Sequence, residues 1–290
     1  MLPALAIASL VSNLLVIGTG GAVRLTSSGL GCPTWPSCTA GSYVNTPEYG
    51  IHGAIEFGNR LLTFVLSAVV LATLVAAVVG RRRWPGATVP AVGLLVGIPA
   101  QAVLGGITVL TRLNPWVVSL HYLLSAGLVA LATVLVLRTR PGHRPGSRTW
   151  AVPGALRALA MGTGLAVIAV VYVGTIVTGS GPHAGDGGAR RTGLDPAAVS
   201  QLHADLVMLL LGLTVGLLVA VRVLPGAMRP RRSATVVGWL LLVELGQAAV
   251  GAVQYATGLP VGLVDLHLVG AAGLVAVLTW TLSTLRTPRT

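Results

Sequence analysis

The chain has 290 residues, 54% of them hydrophobic and only 9% charged, with a mean hydropathy of +0.84. Soluble domains carry about 25% charged residues, so this composition excludes a soluble globular class and leaves an integral membrane protein. The formal net charge is +12, and the basic residues are all arginines in short loops between apolar runs. Without aromatic interleaving, that excess reads as membrane topology and contact with anionic head groups, and nucleic acid is not expected as a partner.

An apolar helix of about 20 residues crosses the hydrocarbon core. Eight such runs follow one another, at residues 2–23, 54–79, 87–110, 116–137, 156–178, 199–224, 234–256 and 261–285. Met1 leads into the first run with no basic stretch and no cleavage site, so no cleavable signal is expected. Of the 19 arginines, fourteen fall on the side of the two termini, among them Arg81, Arg138, Arg140, Arg144, Arg222, Arg231 and Arg289. The remaining five, Arg24, Arg60, Arg112, Arg190 and Arg191, fall on the other side. Cytoplasmic loops carry the arginine excess, so both termini are expected inside a cell membrane. The long loops 24–53 and 179–198 are then outside.

Residues 101–130 and 247–276 align without a gap at an offset of 146 and share thirteen of thirty positions. Each copy is apolar, then turns at a proline (Pro115, Pro260), then opens a new run with a Leu-His pair, Leu120-His121 or Leu266-His267. Four spans per half return the chain to its starting side, which implies parallel repeats about an axis along the membrane normal. The expected fold is all-α, eight transmembrane helices as two parallel-repeat four-helix bundles. The halves are 1–140 and 155–290, joined by a cytoplasmic linker at 141–154 that contains His143, expected to be solvated. The second and sixth helices pair Glu56-x-x-Asn59 with Ser200-x-x-His203, so Asn59 stands where His203 stands in the second half.

His203 and His267 lie just inside the outer ends of helices six and eight, at similar depth. Two such imidazoles facing each other across a bundle suit the axial positions of a haem iron; a hydrogen-bonded interfacial pair is the plain alternative. Intramembrane ionisable groups are costly and usually functional, and His121, His203 and His267 together favour ligation. No zinc-type spacing occurs. Cys32 and Cys38 are the only cysteines; in an outer loop they are expected to form a disulfide, with two free thiols as the alternative. Glu56 is either a catalytic or charge-stabilising group or a partner for Arg60. Glu244 is either a hydrogen-bonded acid or a proton-handling group. Asp205 and Asp265 each stand two residues from a histidine, a spacing that does not share a helix face. His183, in the glycine-dense outer turn 179–186, either caps a cofactor edge or merely turns the chain. Arg24, Arg60 and Arg112 are candidates for haem propionates or for lipid head groups.

Several of these features together resemble the haem A synthase family. They are the outer cysteine pair, Glu56-x-x-Asn59-Arg60, Leu104-Gly-Gly-Ile-Thr108 before Leu120-His121, Thr178-Gly-Ser-Gly-Pro-His-Ala-Gly-Asp186, His203 and Leu266-His267. The resemblance runs over essentially the whole chain. It implies an oxidoreductase that oxidises the C8 methyl of haem O to the formyl of haem A for terminal cytochrome oxidase, with oxygen derived from water. It implies a permanent haem b on His203 and His267, and haem O in the first half with His121 as an axial ligand. Glu56 would lie near the reacting methyl, where a carboxylate stabilises developing positive charge, and Cys32–Cys38 would be a disulfide. One position departs: the family has histidine where this chain has Asn59, a poor iron ligand, so the first site is expected to hold one protein imidazole. His52 is the available substitute, seven residues too early. The implied partners are haem O, a haem O synthase and membrane lipid; the electron acceptor is unspecified and a homo-oligomer is compatible. The alternative reading is a bis-histidine membrane b-type cytochrome taking electrons from quinol, and a third is a transporter built on parallel repeats.

Overall fold

The computed structural model describes residues 1–143, 148–230 and 232–288. Its helices are α1 (Leu2–Leu25), α2 (Gly50–Val79), α3 (Thr88–Leu110), α4 (Pro115–Arg138), α5 (Gly154–Ser180), α6 (Pro196–Val223), α7 (Ser233–Ala256) and α8 (Val261–Thr284). All eight are long and apolar enough to cross a membrane. The largest shift from the expected bounds is at α2, which begins at Gly50 because a 3-10 turn, Pro47–Tyr49, feeds directly into it.

The helix ends follow from local chemistry. Asn114 accepts from the Trp116 N–H at 3.0 Å, and Asp195 accepts from Ala197 and Ala198 at 3.2 and 3.3 Å. Pro115 and Pro196 then take the first helical position, where a missing N–H costs nothing. The ends of α3 and α7 match each other. Arg112 and Leu113 have φ of 51° and 58°, and Gly258 and Leu259 have φ of 77° and 62°. Leu113 N–H reaches back to Thr108 O, and Leu259 N–H to Gln254 O, both at 2.7 Å. These left-handed pairs close the helix and reverse the chain.

In the first half α1 packs on α2 and α4, α2 on α3, and α3 on α4, closing a ring of four; α5 to α8 close a second ring in the same way. The rings meet through α1 on α8, α4 on α8 and α4 on α5. Leu66, Val70, Leu94 and Leu135 fill the first ring, Val167, Leu210, Leu240 and Leu274 the second. Ile17, Val129 and Ala272 form the seam. Phe64, Val96, Ile168 and Trp239 point outward, as apolar side chains on a lipid-facing surface do.

The helices are supplemented by one small sheet. β1 (Arg148–Trp150) and β2 (Arg286–Pro288) pair antiparallel, with Thr149 opposite Thr287. The pair ties the entrance of α5 to the exit of α8. The Trp150 ring lies under the guanidinium of Arg286 at 4.5 Å and of Arg157 at 5.7 Å. Part of the expected linker is therefore ordered structure, and His143 in it is half-buried instead of fully solvated. Residues 144–147, and the counted arginines Arg231 and Arg289, lie outside the described residues.

Candidate functional site

The loop after α1 is closed by a Cys32–Cys38 disulfide, the pairing expected from the sequence. Arg60, on the third turn of α2 below the loop, organises it. Its guanidinium donates to the carbonyls of Cys32 (2.9 Å), Thr34 (3.1 Å) and Ser37 (3.2 Å). It also pairs with Glu56, one turn earlier on the helix, at 2.6 Å. Glu56 is buried and uses its other oxygen to accept the Cys32 N–H at 2.7 Å. The carboxylate thus serves as Arg60's partner and is held rigidly at the mouth of α2. The loop reaches across to α3: a Cβ on Gly106 would overlap the indole of Trp35.

Gly105, beside that contact, faces His121. A Cβ there would stand 3.2 Å from His121 Cε1. The same arrangement recurs twice. A Cβ on Gly174 of α5 would stand 3.1 Å from His203 Cε1, and one on Gly251 of α7 would stand 3.3 Å from His267 Cε1. Each imidazole therefore lies against a helix backbone through a glycine. Two of these glycines precede their histidine by sixteen residues, Gly105 before His121 and Gly251 before His267. That spacing is visible in the repeat but has no meaning until the helices are placed. The Nδ1 atoms of all three rings are buried, and the backbone of Val170 stands close enough to His203, and that of Gln247 to His267, to serve as a hydrogen-bond partner.

His203 and His267 come together, with ring centroids 6.4 Å apart and planes at 80°. Two imidazoles on either side of one first-row metal bind it at about 2.0 Å with ring centres about 1.1 Å behind, which puts the centroids about 6.3 Å apart. Crossed planes are compatible, because each ring turns freely about its own metal–nitrogen axis. No group of three or more His, Cys, Asp or Glu among the described residues is placed to hold a metal ion. The donor set thus suits a metal that brings its own equatorial ligands, which is a haem iron. The glycine cradles and the centroid spacing fit that group.

The remaining predicted residues are placed as follows. Asn59 Oδ1 accepts from Thr19 Oγ1 at 2.7 Å, so it ties α2 to α1. His52 Nδ1 contacts Ser28 Oγ at 3.0 Å and lies seven residues, about 10 Å of helix rise, from Asn59. It is not at the level where a second ligand would stand. His183 Nε2 donates to Leu259 O at 3.0 Å, and its own carbonyl accepts from Arg24 Nε at 2.6 Å. Arg24 also donates to Thr178 O at 2.9 Å, so these residues join outer loops of the two halves. Arg112 is exposed. Glu244 is buried and accepts from Thr214 at 2.9 Å, its second oxygen without a partner among the described residues. Asp265 faces α1, where a Cβ on Gly21 would overlap its carboxylate; Asp205 pairs with Gln201 at 2.8 Å. The glycine cradles, the Arg60 fork and the Trp35 contact were not anticipated from the sequence.

Residues 3–184 match the COX15-CtaA family, described as cytochrome oxidase assembly protein. Among individual proteins, the chain is 29% identical to a heme A synthase of Geobacillus kaustophilus over 45% of its own length and 41% of the relative's. It is 33% identical to one from Shewanella oneidensis, over 46% and 44% of the two chains, and 36% identical to one from Lysinibacillus sphaericus, over 46% and 42%. The matched stretch spans less than half the length of each relative.

Proposed function

The chain belongs to the COX15-CtaA family of cytochrome oxidase assembly proteins, and on that premise we propose that it is a haem A synthase, a multi-pass membrane oxidoreductase acting on the C8 methyl of haem O. The reading is carried by the imidazole set: three half-buried rings, each backed by a glycine, with His203 and His267 6.4 Å apart between centroids. His203 and His267 would hold a haem b in the second half, and His121 would hold the iron of substrate haem O in the first. When bound, haem b supplies reversible one-electron chemistry.

This chain's own residues set up the rest. Converting the methyl to a formyl with oxygen from water releases four protons and four electrons, the electrons leaving to an acceptor outside this chain, and a developing cation needs a fixed anion nearby. Glu56 provides it, because its contacts with Arg60 and the Cys32 N–H leave it no freedom to reorganise during the reaction. The disulfide-closed loop holds Trp35 against α3 beside Gly105 and limits access of bulk water to the His121 side. Asn59 contributes hydrogen bonding and no iron ligand. The protein sits in the cell membrane with both termini cytoplasmic and the sites toward the outer face, taking haem O from a haem O synthase.

The test is extraction and chromatography of porphyrins bound to the purified protein, made with and without a source of haem O. Haem b is expected in both preparations, and haem O with haem A in the first alone. Haem b with no conversion of haem O would favour the bis-histidine b-type cytochrome instead. A preparation that takes up no haem under either condition would overturn both readings.

A further inference from the structure

At the end of the bundle where α1 begins and α8 ends, α1, α4 and α8 leave a slot of about 120 Å³ at the seam between the two rings. Leu10, Val136, Leu137, Ala276 and Val277 line it, and almost all of its surface is apolar. Arg140, two residues beyond the end of α4 and exposed, stands at this slot with its guanidinium 4.8 Å over the ring of Trp280. The Glu56–Arg60 ion pair lies at the opposite end of the molecule, and no acidic side chain among the described residues lines this slot. Partial burial, and then the neighbouring Arg232, press the Arg140 guanidinium below its ordinary pKa. An arginine keeps its proton regardless, so the rim of the slot carries a fixed positive charge.

We propose that the slot binds an acyl chain of an anionic phospholipid whose phosphate sits on Arg140. A neutral lipid would fill the apolar walls but leave the charge uncompensated; a free phosphate would satisfy Arg140 and leave the slot empty. Only an anionic amphiphile uses both parts, and basic pockets between transmembrane helices on the cytoplasmic side are suited to such head groups. Bound there, the lipid braces α1 and α4 of the first ring against α8 of the second. The inference rests on the chain spanning a membrane and not on the haem assignment.

The whole chain, purified in detergent and stripped of lipid, is offered phosphatidylglycerol, phosphatidylcholine with the same acyl chains, or inorganic phosphate, and retention is read by native mass spectrometry. The wild type is expected to retain phosphatidylglycerol in preference to phosphatidylcholine and to retain no phosphate. Arg140→Gln is expected to weaken phosphatidylglycerol retention about fivefold, the factor one cationic contact contributes at a membrane surface, without affecting phosphatidylcholine. Ala276→Leu, which narrows the slot and leaves the charge, should lower retention of both lipids. Equal retention of the two lipids by the wild type, phosphatidylglycerol binding indifferent to Arg140→Gln, or retention of phosphate by itself would each overturn the proposal. Arg140 is exposed, so its variant tests the site even where the Ala276 variant fails to fold.

Discussion

Tyr122 on α4 donates a 2.8 Å hydrogen bond to the carbonyl oxygen of Leu268 on α8. These residues directly follow His121 and His267, and they are separated by 146 positions, the offset of the repeated stretch. The bond therefore joins equivalent points of the two copies and sets the relative height of the two helices that carry those imidazoles. Its neighbours in the seam cluster, Ile17, Val129 and Ala272 with Leu14 and Val269, are apolar.

Tyr122→Phe removes this hydroxyl and leaves the ring. The expected cost is about 1 kcal/mol, the net worth of one intramolecular hydrogen bond, read as a lower thermal unfolding midpoint in detergent. An unchanged midpoint would show that the bond does not stabilise the seam.

The glycine cradles make a sharper prediction. Gly174→Ala and Gly251→Ala should each push an imidazole off its seat and diminish low-spin haem b absorbance. Gly105→Ala should spare that signal and disturb the first site. Gly212→Ala is the control, since a Cβ there meets nothing within 4 Å; it should leave the spectrum alone and stabilise α6 by about 0.5–1 kcal/mol. Equal spectra from all four variants would remove the cradles' significance.

Arg60 is predicted to hold the outer loop by its fork geometry as well as its charge. Arg60→Lys keeps the charge near Glu56 but cannot span three carbonyls and a carboxylate at once. Both Arg60→Ala and Arg60→Lys should therefore speed reduction of the Cys32–Cys38 disulfide by a mild thiol, measured by alkylation of the released cysteines. If the lysine variant matched the wild type, charge by itself would account for the loop.

Asn59→His tests the departure from the family pattern. The first-site haem should become low-spin, because a second imidazole enters on the face of α2 that already reaches α1 through Thr19. The ends of α1 and α5 align as Leu25–Gly29 with Val177–Gly181, an offset of 152 that sets Ala22 against Gly174, so Asn59→His/Ala22→Gly should give the fuller conversion. His52→Ala should change no coordination; loss of a low-spin first-site signal in that variant would make His52 the ligand.

Membrane orientation is testable with the native cysteines already paired. Gly187→Cys, in an exposed turn after α5, should react with an impermeant maleimide on intact cells, and Gly142→Cys, after α4, should react only once the cells are opened. The reverse pattern would invert the topology.

The eight spans were legible in the sequence because a lipid core demands about 20 apolar residues per helix, and that demand is written locally in each run. Their ends were legible within a few residues from proline, glycine and capping side chains such as Asn114 and Asp195. The cysteine loop, the Leu-His pairs and the substitution at Asn59 were equally visible, because a repeat displays equivalent positions side by side. Rotation of each helix about its axis was not visible. Transmembrane helices such as α4 and α8 are apolar all round, and lipid is as apolar as the interior, so no hydrophobic stripe marks the inward face. Which glycine backs which histidine, that Arg60 reaches three carbonyls of the outer loop, that Thr214 meets Glu244 and that Tyr122 reaches Leu268 were decided only when the helices met. Close approach and interhelical hydrogen bonds, the interactions that orient helices in a membrane, exist between elements and leave no periodic trace within any one of them.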